Sequence, residues 1–241
     1  MRKALIAALV ILLAPVAASA QIRQVSSSSG AGNSTVNFTL GYFGLKGIES
    51  RVDEDVLLAD LQNLHPLLFE IEDFNGFMIG GEYLYGIGRH FEAGIGVAFH
   101  QRTVDSIYAD LTRPGDVEIE QELKLRQIPV TFTGRVLLLP RGSVVEPYVG
   151  AGLVAIRYRY SEVGDFIDNS LEIFPARYVK DGVAVGPTVF GGLRAPVGNW
   201  TFGGEVKWQK AEGKNLLEEG FLGDRIDLGG WMANFTFGIR F

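Results

Sequence analysis

The 241-residue sequence contains no cysteine. Disulfide bonds and zinc thiolate sites are therefore excluded, so an exported chain of this size must be stabilised by a packed core or a closed sheet. Beyond residue 20, glycines and charged residues interrupt every apolar run before it reaches the roughly 18 residues that a membrane-spanning helix needs. Any insertion into a membrane must consequently use strands.

Positive charge is scarce as well, since 22 lysines and arginines face 28 aspartates and glutamates, for a net charge of −6. This balance argues against nucleic acid as a partner. The sequence also lacks a P-loop, a dinucleotide fingerprint, the H-E-x-x-H motif and the ligand spacing of an EF-hand. We therefore expect no cofactor and no dedicated metal site.

The N-terminus has the composition of a secretory signal peptide. Arg2 and Lys3 precede an apolar run that closes on the small-residue cleavage pattern Ala18-Ser19-Ala20. The following segment is rich in serine and glycine, which indicates a flexible leader. The predicted organisation is a cleavable signal peptide at 1–20, a leader at 21–34 and an outer-membrane β-barrel at 35–241.

Eight later segments alternate between large apolar residues and small or polar residues, which is the period of a strand with one apolar face. In the last segment Trp231 and Phe235 face one way, whereas Gly230 and Arg240 face the other. The 31 glycines suit the crowded interior of a narrow barrel, and the 16 phenylalanines suit a lipid-facing wall. The sequence therefore predicts an all-β fold, a closed eight-stranded antiparallel transmembrane β-barrel.

The links between these segments indicate how the barrel is oriented. Three links, among them Gly88-Arg89-His90, contain a few residues, and the other four are expected to run to roughly fifteen to thirty, the pattern of periplasmic turns and external loops. Both termini of the barrel chain are then expected on the periplasmic side. A soluble sandwich or lipocalin-like barrel is the alternative, but its exterior would consist of glycine, alanine and threonine and would hydrate poorly.

Two strands have ambiguous phases. In the fourth, Leu123 and Leu125 fall on one face while Ile128 and Phe132 fall on the other, which predicts a β-bulge near Arg126 and Gln127. In the fifth, the opposite phase fits only slightly less well than our assignment. That assignment places Tyr148, Val154, Ile156, Tyr158 and Tyr160 towards lipid, with Ala151, Ala155, Arg157 and Arg159 in the lumen.

The closing run from Trp231 to Phe241 resembles the terminal strand of bacterial outer-membrane barrels, and Gln127-Ile128-Pro129-Val130 and Pro147-Tyr148-Val149-Gly150-Ala151-Gly152 resemble strands of the small OmpA/OmpW-like superfamily. The resemblance implies an outer-membrane barrel surrounded by lipid and lipopolysaccharide. It also implies that the barrel-assembly machinery reads the last strand, through Phe235, Phe237 and Phe241. The superfamily contains structural barrels, adhesins, pores and a few lipid-modifying enzymes, so the resemblance does not select a function.

Seven charged residues are expected on the luminal faces of the strands. Unpaired charges in a narrow lumen are costly, so we expect ion pairs that close the channel. The alternative is that the same pairs form a switchable gate in a narrow pore. The seven residues are Glu82, Glu92, Arg135, Arg194, Glu205, Lys207 and Arg240.

His100 is the histidine best placed for catalysis, because Asp105 and Ser106 follow it near the external end of its strand. A lipid A deacylase has its histidine and serine two residues apart on one strand, but position 102 here is arginine. The favoured interpretation of His100 is therefore a polar residue at a loop boundary. The first long loop carries apolar residues at helical spacing over 54–61. They predict a short helix over the external mouth, acting either as a lid or partner surface or as loop packing.

The sequence therefore predicts a non-enzymatic integral outer-membrane barrel with a structural or surface-interaction role. The alternative is a narrow pore or transporter for small or hydrophobic compounds, and a lipid A-modifying enzyme ranks below both. Outer-membrane lipid, lipopolysaccharide and the barrel-assembly machinery are the expected partners. An external ligand or protein partner is not identified by any motif.

Overall fold

The computed structural model describes residues 33–168 and 170–241, so the predicted signal peptide and nearly all of the predicted leader lie outside the described residues. One α-helix, α1 (Val56–Gln62), and three 3₁₀ turns (Ile48–Ser50, Ile71–Phe74 and Leu217–Glu219) occur in the described part. The three short strands are β2 (Leu67–Leu68), β9 (Glu212–Lys214) and β10 (Arg225–Asp227). The eight long strands are β1 (Ser34–Leu45), β3 (Gly76–Ile87), β4 (Phe91–Arg113), β5 (Val117–Leu137), β6 (Glu146–Ile167), β7 (Ile173–Val197), β8 (Trp200–Gln209) and β11 (Gly230–Arg240).

The eight long strands form one closed ring. Each pairs antiparallel with two neighbours, in the order β1, β3, β4, β5, β6, β7, β8 and β11, and β11 returns to β1. Closure leaves no long strand with an unpaired edge, which is what a sheet in hydrocarbon requires. The predicted eight-stranded antiparallel barrel is confirmed.

Large apolar side chains cover the outside of the ring. Phe38, Phe77 and Trp231 are 57%, 76% and 59% exposed, and the residues that alternate with them face the lumen. A continuous apolar band of this kind is stable in lipid and would aggregate in water. The architecture is that of a transmembrane barrel of the outer-membrane type. In the described ranges, no helix has the length and apolarity needed to cross a membrane.

Short and long connections lie at opposite ends of the barrel. Residues 88–90, 138–145 and 198–199 make the three connections at one end, which we term the periplasmic end. At the external end, residues 46–75 and 210–229 contain α1 and the short strands. The other two external connections are tips of long hairpins. Strands β4 and β5, and likewise β6 and β7, stay paired well beyond the apolar band before the chain turns.

The predicted phase of the fifth barrel strand, β6, is wrong. Tyr148 and Tyr160 are buried inside the barrel, whereas Ala151, Arg157 and Leu153 point outwards. The residues that were assigned to lipid occupy the inward positions of β6, and the exposed residues occupy the positions between them. The physical reason is that the external part of β6 faces an apolar core inside the barrel rather than lipid outside it.

The β-bulge predicted near Arg126 and Gln127 is also absent from β5. Its pairing with β6 is continuous through these residues, and its register with β4 shifts only between Ile107 and Thr112, closer to the external tip. Leu123 and Leu125 point inwards, and Ile128 and Phe132 point outwards, with no change in strand phase. Within the membrane, the apolar residues of β5 point outwards to lipid. Beyond the membrane boundary, they point inwards to the apolar core of the barrel.

Candidate functional site

Arg194 is the centre of an ion-pair network at the periplasmic end of the lumen. Its guanidinium donates to the two oxygens of Glu92 at 2.6 and 3.0 Å and to Glu146 at 2.6 Å. Arg141 donates to Glu92 at 2.5 Å, and Arg240 donates to Glu146 at 2.9 Å. All five side chains are nearly inaccessible to solvent. Each buried carboxylate therefore has two arginine partners, which offset its loss of hydration.

A second charged group lies further into the barrel. The Arg135 guanidinium donates to Glu82 at 2.7 Å and lies 3.6 Å from Glu205. The Lys207 ammonium lies 3.1 Å from Glu205, and the Tyr148 hydroxyl donates to the same carboxylate at 3.2 Å. Arg135 also stacks over the Tyr148 ring, with 4.5 Å between its central carbon and the ring centroid. These contacts join β3, β5, β6 and β8 across the lumen.

The structure places all seven charged residues singled out in the sequence within these two groups. Sequence reasoning missed two further members, Glu146 and Arg141, because both lie in or beside the turn between β5 and β6, where charged residues are usually solvated. The signal was indirect, since Glu146 precedes Pro147 at the start of a strand. The β6–β7 register, which pairs Glu146 with Arg194, brings it inside.

Apolar side chains fill the external half of the interior. Leu125 and Ile156 from the barrel wall pack in one buried cluster with Leu57, Phe74 and Ile226 from the external connections. Between this cluster and the charged groups is a cavity of about 40 Å³, which holds no more than a few water molecules at roughly 10–15 Å³ each. In the described residues the lumen is thus occupied by ion pairs at one end and by an apolar core at the other.

Helix α1 is fixed over the external mouth by a buried clamp. Asp55 caps the helix by accepting from the Leu57 backbone N–H at 3.0 Å, and its carboxylate also accepts from Arg51 at 2.9 and 3.0 Å. The Asp227 backbone N–H donates to Asp55 at 2.6 Å, and Lys46 bonds the Asp227 carboxylate at 2.7 Å. The predicted helix therefore exists, and the clamp ties the first external connection to the last. We call these two connections, with the outer parts of β4 to β7, the external cap.

Two buried carboxyl groups of the cap contact each other where α1 meets β6. Asp60 and Glu162 are 2% and 3% exposed and have no salt-bridge partner in the described ranges. Asp60 Oδ2 and Glu162 Oε1 have no hydrogen-bond donor there either. Burial raises the pKa of both groups, because the charged forms are poorly solvated. The pair therefore holds a proton more readily than exposed carboxylates do.

His100 is part of the packing rather than of a catalytic cluster. The side chain is fully buried, its two ring nitrogens lie 3.0 Å from the carbonyl oxygens of Phe77 and Phe74, and its ring meets Phe43 edge-on at 5.1 Å. Ser106 donates to the Leu68 carbonyl oxygen at 3.1 Å instead of to His100. In the described residues, Ser106 and His100 therefore do not make the hydrogen bond that a serine nucleophile shares with its base.

The three phenylalanines of the predicted assembly signal lie along the last strand and its end. Phe235 and Phe241 are 55% and 63% exposed. Phe237 points outwards and stacks on Trp200 with 4.9 Å between ring centroids. An apolar outward edge is thus present at the C-terminus, and its recognition by the barrel-assembly machinery stays a prediction.

No protein-family model matches the sequence, and no curated protein sequence matches it. The chain is similar to several solved outer-membrane proteins. OprG from Pseudomonas aeruginosa is 12% identical, with 88% of this chain and 97% of OprG covered and a TM-score of 0.49. Neisserial surface protein A is 12% identical over 88% of this chain and 99% of its own, with a TM-score of 0.48. Outer membrane protein W of E. coli is 16% identical over 88% and 98%, with a TM-score of 0.42.

Proposed function

We propose that this chain is an integral protein of the bacterial outer membrane in which a closed barrel anchors an ordered external cap, with a structural or surface-interaction role. The observation that carries the proposal is the filled lumen. Paired arginines and carboxylates occupy one end, and the apolar core of the cap occupies the other. A barrel filled in this way contributes membrane insertion and rigidity, and leaves recognition to its external surface.

The surface of the cap supports an interaction role. Leu64, Leu217 and Leu222 are 83%, 55% and 55% exposed, and all three lie in the external connections, beyond the strands that carry the apolar band. These leucines lie outside the lipid-facing band, and their exposure to water costs free energy. We take these three leucines as the candidate contact residues of the cap.

A narrow pore is the second candidate function. It is favoured by the cavity of about 40 Å³, whose lining includes Glu82, Glu205 and Lys207 and which could belong to an interrupted polar path. A transport role would require the cap core or the ion pairs to move apart during passage.

Single-channel conductance of the refolded mature protein in planar bilayers tests the two candidates. The luminal variants are Glu82→Gln and Glu205→Gln, and Glu49→Gln in the first external connection is the matched control. We expect silence from all four proteins, because the ion pairs and cap block the lumen independently. Discrete channels in the wild type, altered by the luminal variants but not by the control, would overturn the closed-barrel proposal and support the pore.

We also propose that the chain is not an enzyme, on the geometry around His100. The test is acyl release from purified lipopolysaccharide, measured for the wild type and for His100→Ala. We expect no release from either protein. Release by the wild type that disappears in His100→Ala would establish a lipid-modifying activity.

A further inference from the structure

Five basic side chains form a patch on the outside of the barrel. They are Lys124 and Arg126 on β5, Arg157 and Arg159 on β6, and Arg177 on β7, and we call them the basic patch. Arg126 lies directly opposite Arg159 in the strand register. In residues 33–168 and 170–241, the only salt bridge made by the patch joins Arg159 to Asp181 at 3.9 Å.

Unbalanced positive charge is unusual in this molecule. The whole chain carries a net charge of −6, and the arginines of the lumen are each matched with carboxylates. The basic patch, by contrast, brings five cations together on adjacent strands, with Asp181 as its one salt-bridge partner among the described residues and with Asp105 and Glu122 beyond Lys124 on the external side. Like charges at this spacing repel one another, so an anion bound among them would stabilise the arrangement.

The patch lies at the external edge of the apolar band. Below it on β5, the outward positions from Ile128 to Val136 are apolar or glycine. These positions span about 27 Å of strand at ~3.4 Å per residue, or about 21 Å of height at a tilt of about 40°. Arg126 is one outward position beyond Ile128, which puts it at the upper edge of a band of about 25 Å. That is the level of lipid headgroups in the outer leaflet.

The patch also has a concave surface. A cavity of about 260 Å³ is lined by Gln101, Lys124, Arg126, Arg159, Ser161 and Arg177. Every one of these side chains offers N–H or O–H donors, and the planar guanidinium groups match the geometry of phosphate oxygens. The cavity is therefore large enough and suitably equipped for a phosphate group approaching from the side of the barrel.

We propose that the basic patch binds the phosphate groups of lipid A, the membrane anchor of lipopolysaccharide in the outer leaflet. This inference rests on the outer-membrane location proposed above. Acyl chains would then lie along the apolar band below the patch, while the phosphates are held by Arg126, Arg159 and their neighbours. The barrel would carry an ordered lipopolysaccharide molecule against β5 and β6, on the side where the cap extends furthest from the membrane.

The test measures binding of fluorescently labelled lipopolysaccharide to the refolded protein in dodecyl maltoside micelles. The test variant is Arg126→Gln with Arg159→Gln. The control is Arg89→Gln with Lys214→Gln, which removes the same charge from the periplasmic turn and from the cap. We expect about a tenfold loss of affinity in the test variant, since charged hydrogen bonds are lost, and less than about a twofold change in the control. Dephosphorylated lipopolysaccharide should bind the wild type about tenfold more weakly than the native lipid.

Equal affinity of wild type and test variant would overturn the assignment, as would equal binding of native and dephosphorylated lipid. Inhibition by inorganic pyrophosphate at concentrations similar to those of the lipid would show a site for free phosphates instead. Folding is checked by heat-modifiable gel mobility, and Lys124→Gln with Arg177→Gln replaces the test variant if it fails to fold. Conductance measured on the same proteins distinguishes failure of this proposal from failure of the closed-barrel proposal. Channels in the wild type would contradict the closed barrel and would leave the measured affinity for lipopolysaccharide unchanged.

Discussion

Replacement of Arg194 by methionine is the sharpest test of the filled lumen. The guanidinium makes three short hydrogen bonds to two buried carboxylates, Glu92 and Glu146. Methionine keeps much of the side-chain volume but removes the charge and all three donors. The expected result is a barrel that folds but is markedly less stable.

The magnitude follows from what remains around the two carboxylates. Breaking a buried ion pair by removing one partner costs about 3–5 kcal/mol. Glu92 retains Arg141 and Glu146 retains Arg240, so we expect the lower value, about 3 kcal/mol. A second change, Glu92→Gln in the Arg194→Met background, leaves the buried Arg141 without its carboxylate and should add a further loss.

The assay is urea unfolding in phosphatidylcholine vesicles, followed by fluorescence of the three tryptophans and by gel mobility. Arg89→Met in a periplasmic turn is the control and should change the free energy of unfolding by less than about 0.5 kcal/mol. A loss below about 1 kcal/mol in Arg194→Met, or no further loss when Glu92→Gln is added, would refute the reasoning that these ion pairs are desolvated and depend on one another.

Two further predictions concern the cap and the barrel wall. Because burial raises the pKa values of Asp60 and Glu162, the folded cap binds protons more tightly than the unfolded chain; its stability should fall as pH rises above the ordinary carboxyl value of about 4. Proteolysis of the cap should be faster at pH 8 than at pH 5, and this dependence should weaken in Glu162→Gln; an unchanged pH profile in the variant would contradict the assignment. Gly152→Ala would place its Cβ 2.0 Å from the Phe132 carbonyl oxygen, whereas a Cβ at Gly134 would meet nothing within 4 Å. We expect Gly152→Ala to lower the urea midpoint by an amount equivalent to about 1–3 kcal/mol and Gly134→Ala to leave it nearly unchanged. Equal midpoints for the two variants would contradict this, because they would show that the backbone shifts to accommodate the methyl group at position 152.

The amphipathic strands were predictable wherever lipid lies outside the barrel and polar groups lie inside. In β8 and β11 the outward residues Trp200, Phe202, Phe235 and Ile239 follow the predicted phase. The same reasoning failed in β6, where Ile156 and Tyr160 are as apolar as lipid-facing residues but point inwards. Alternation defines two faces of a strand, and the nature of the neighbours on each face decides which one is apolar.

The luminal charges were also only partly predictable from the sequence. Counting from short turns placed Arg194 and Glu92 on luminal faces, because strand periodicity is local and turn lengths are visible in the sequence. Their partner Glu146 could not be found in this way, since it enters the lumen through the β6–β7 register and the path of the preceding turn. The clamp between Asp55 and Asp227 joins residues 172 positions apart, a contact that no local pattern encodes.

By itself, the sequence determined that the chain forms membrane-crossing strands rather than helices, that it closes as eight of them, and that charged side chains line a narrow interior. These properties follow from local periodicity, glycine content and link length. Only the tertiary structure decided that the external connections fold into an apolar core, that this core inverts the apolar face of β5 and β6, and that five cations collect at the membrane edge. Those outcomes depend on what lies across the sheet from each side chain, because burial is a property of the assembled surroundings and not of the strand alone.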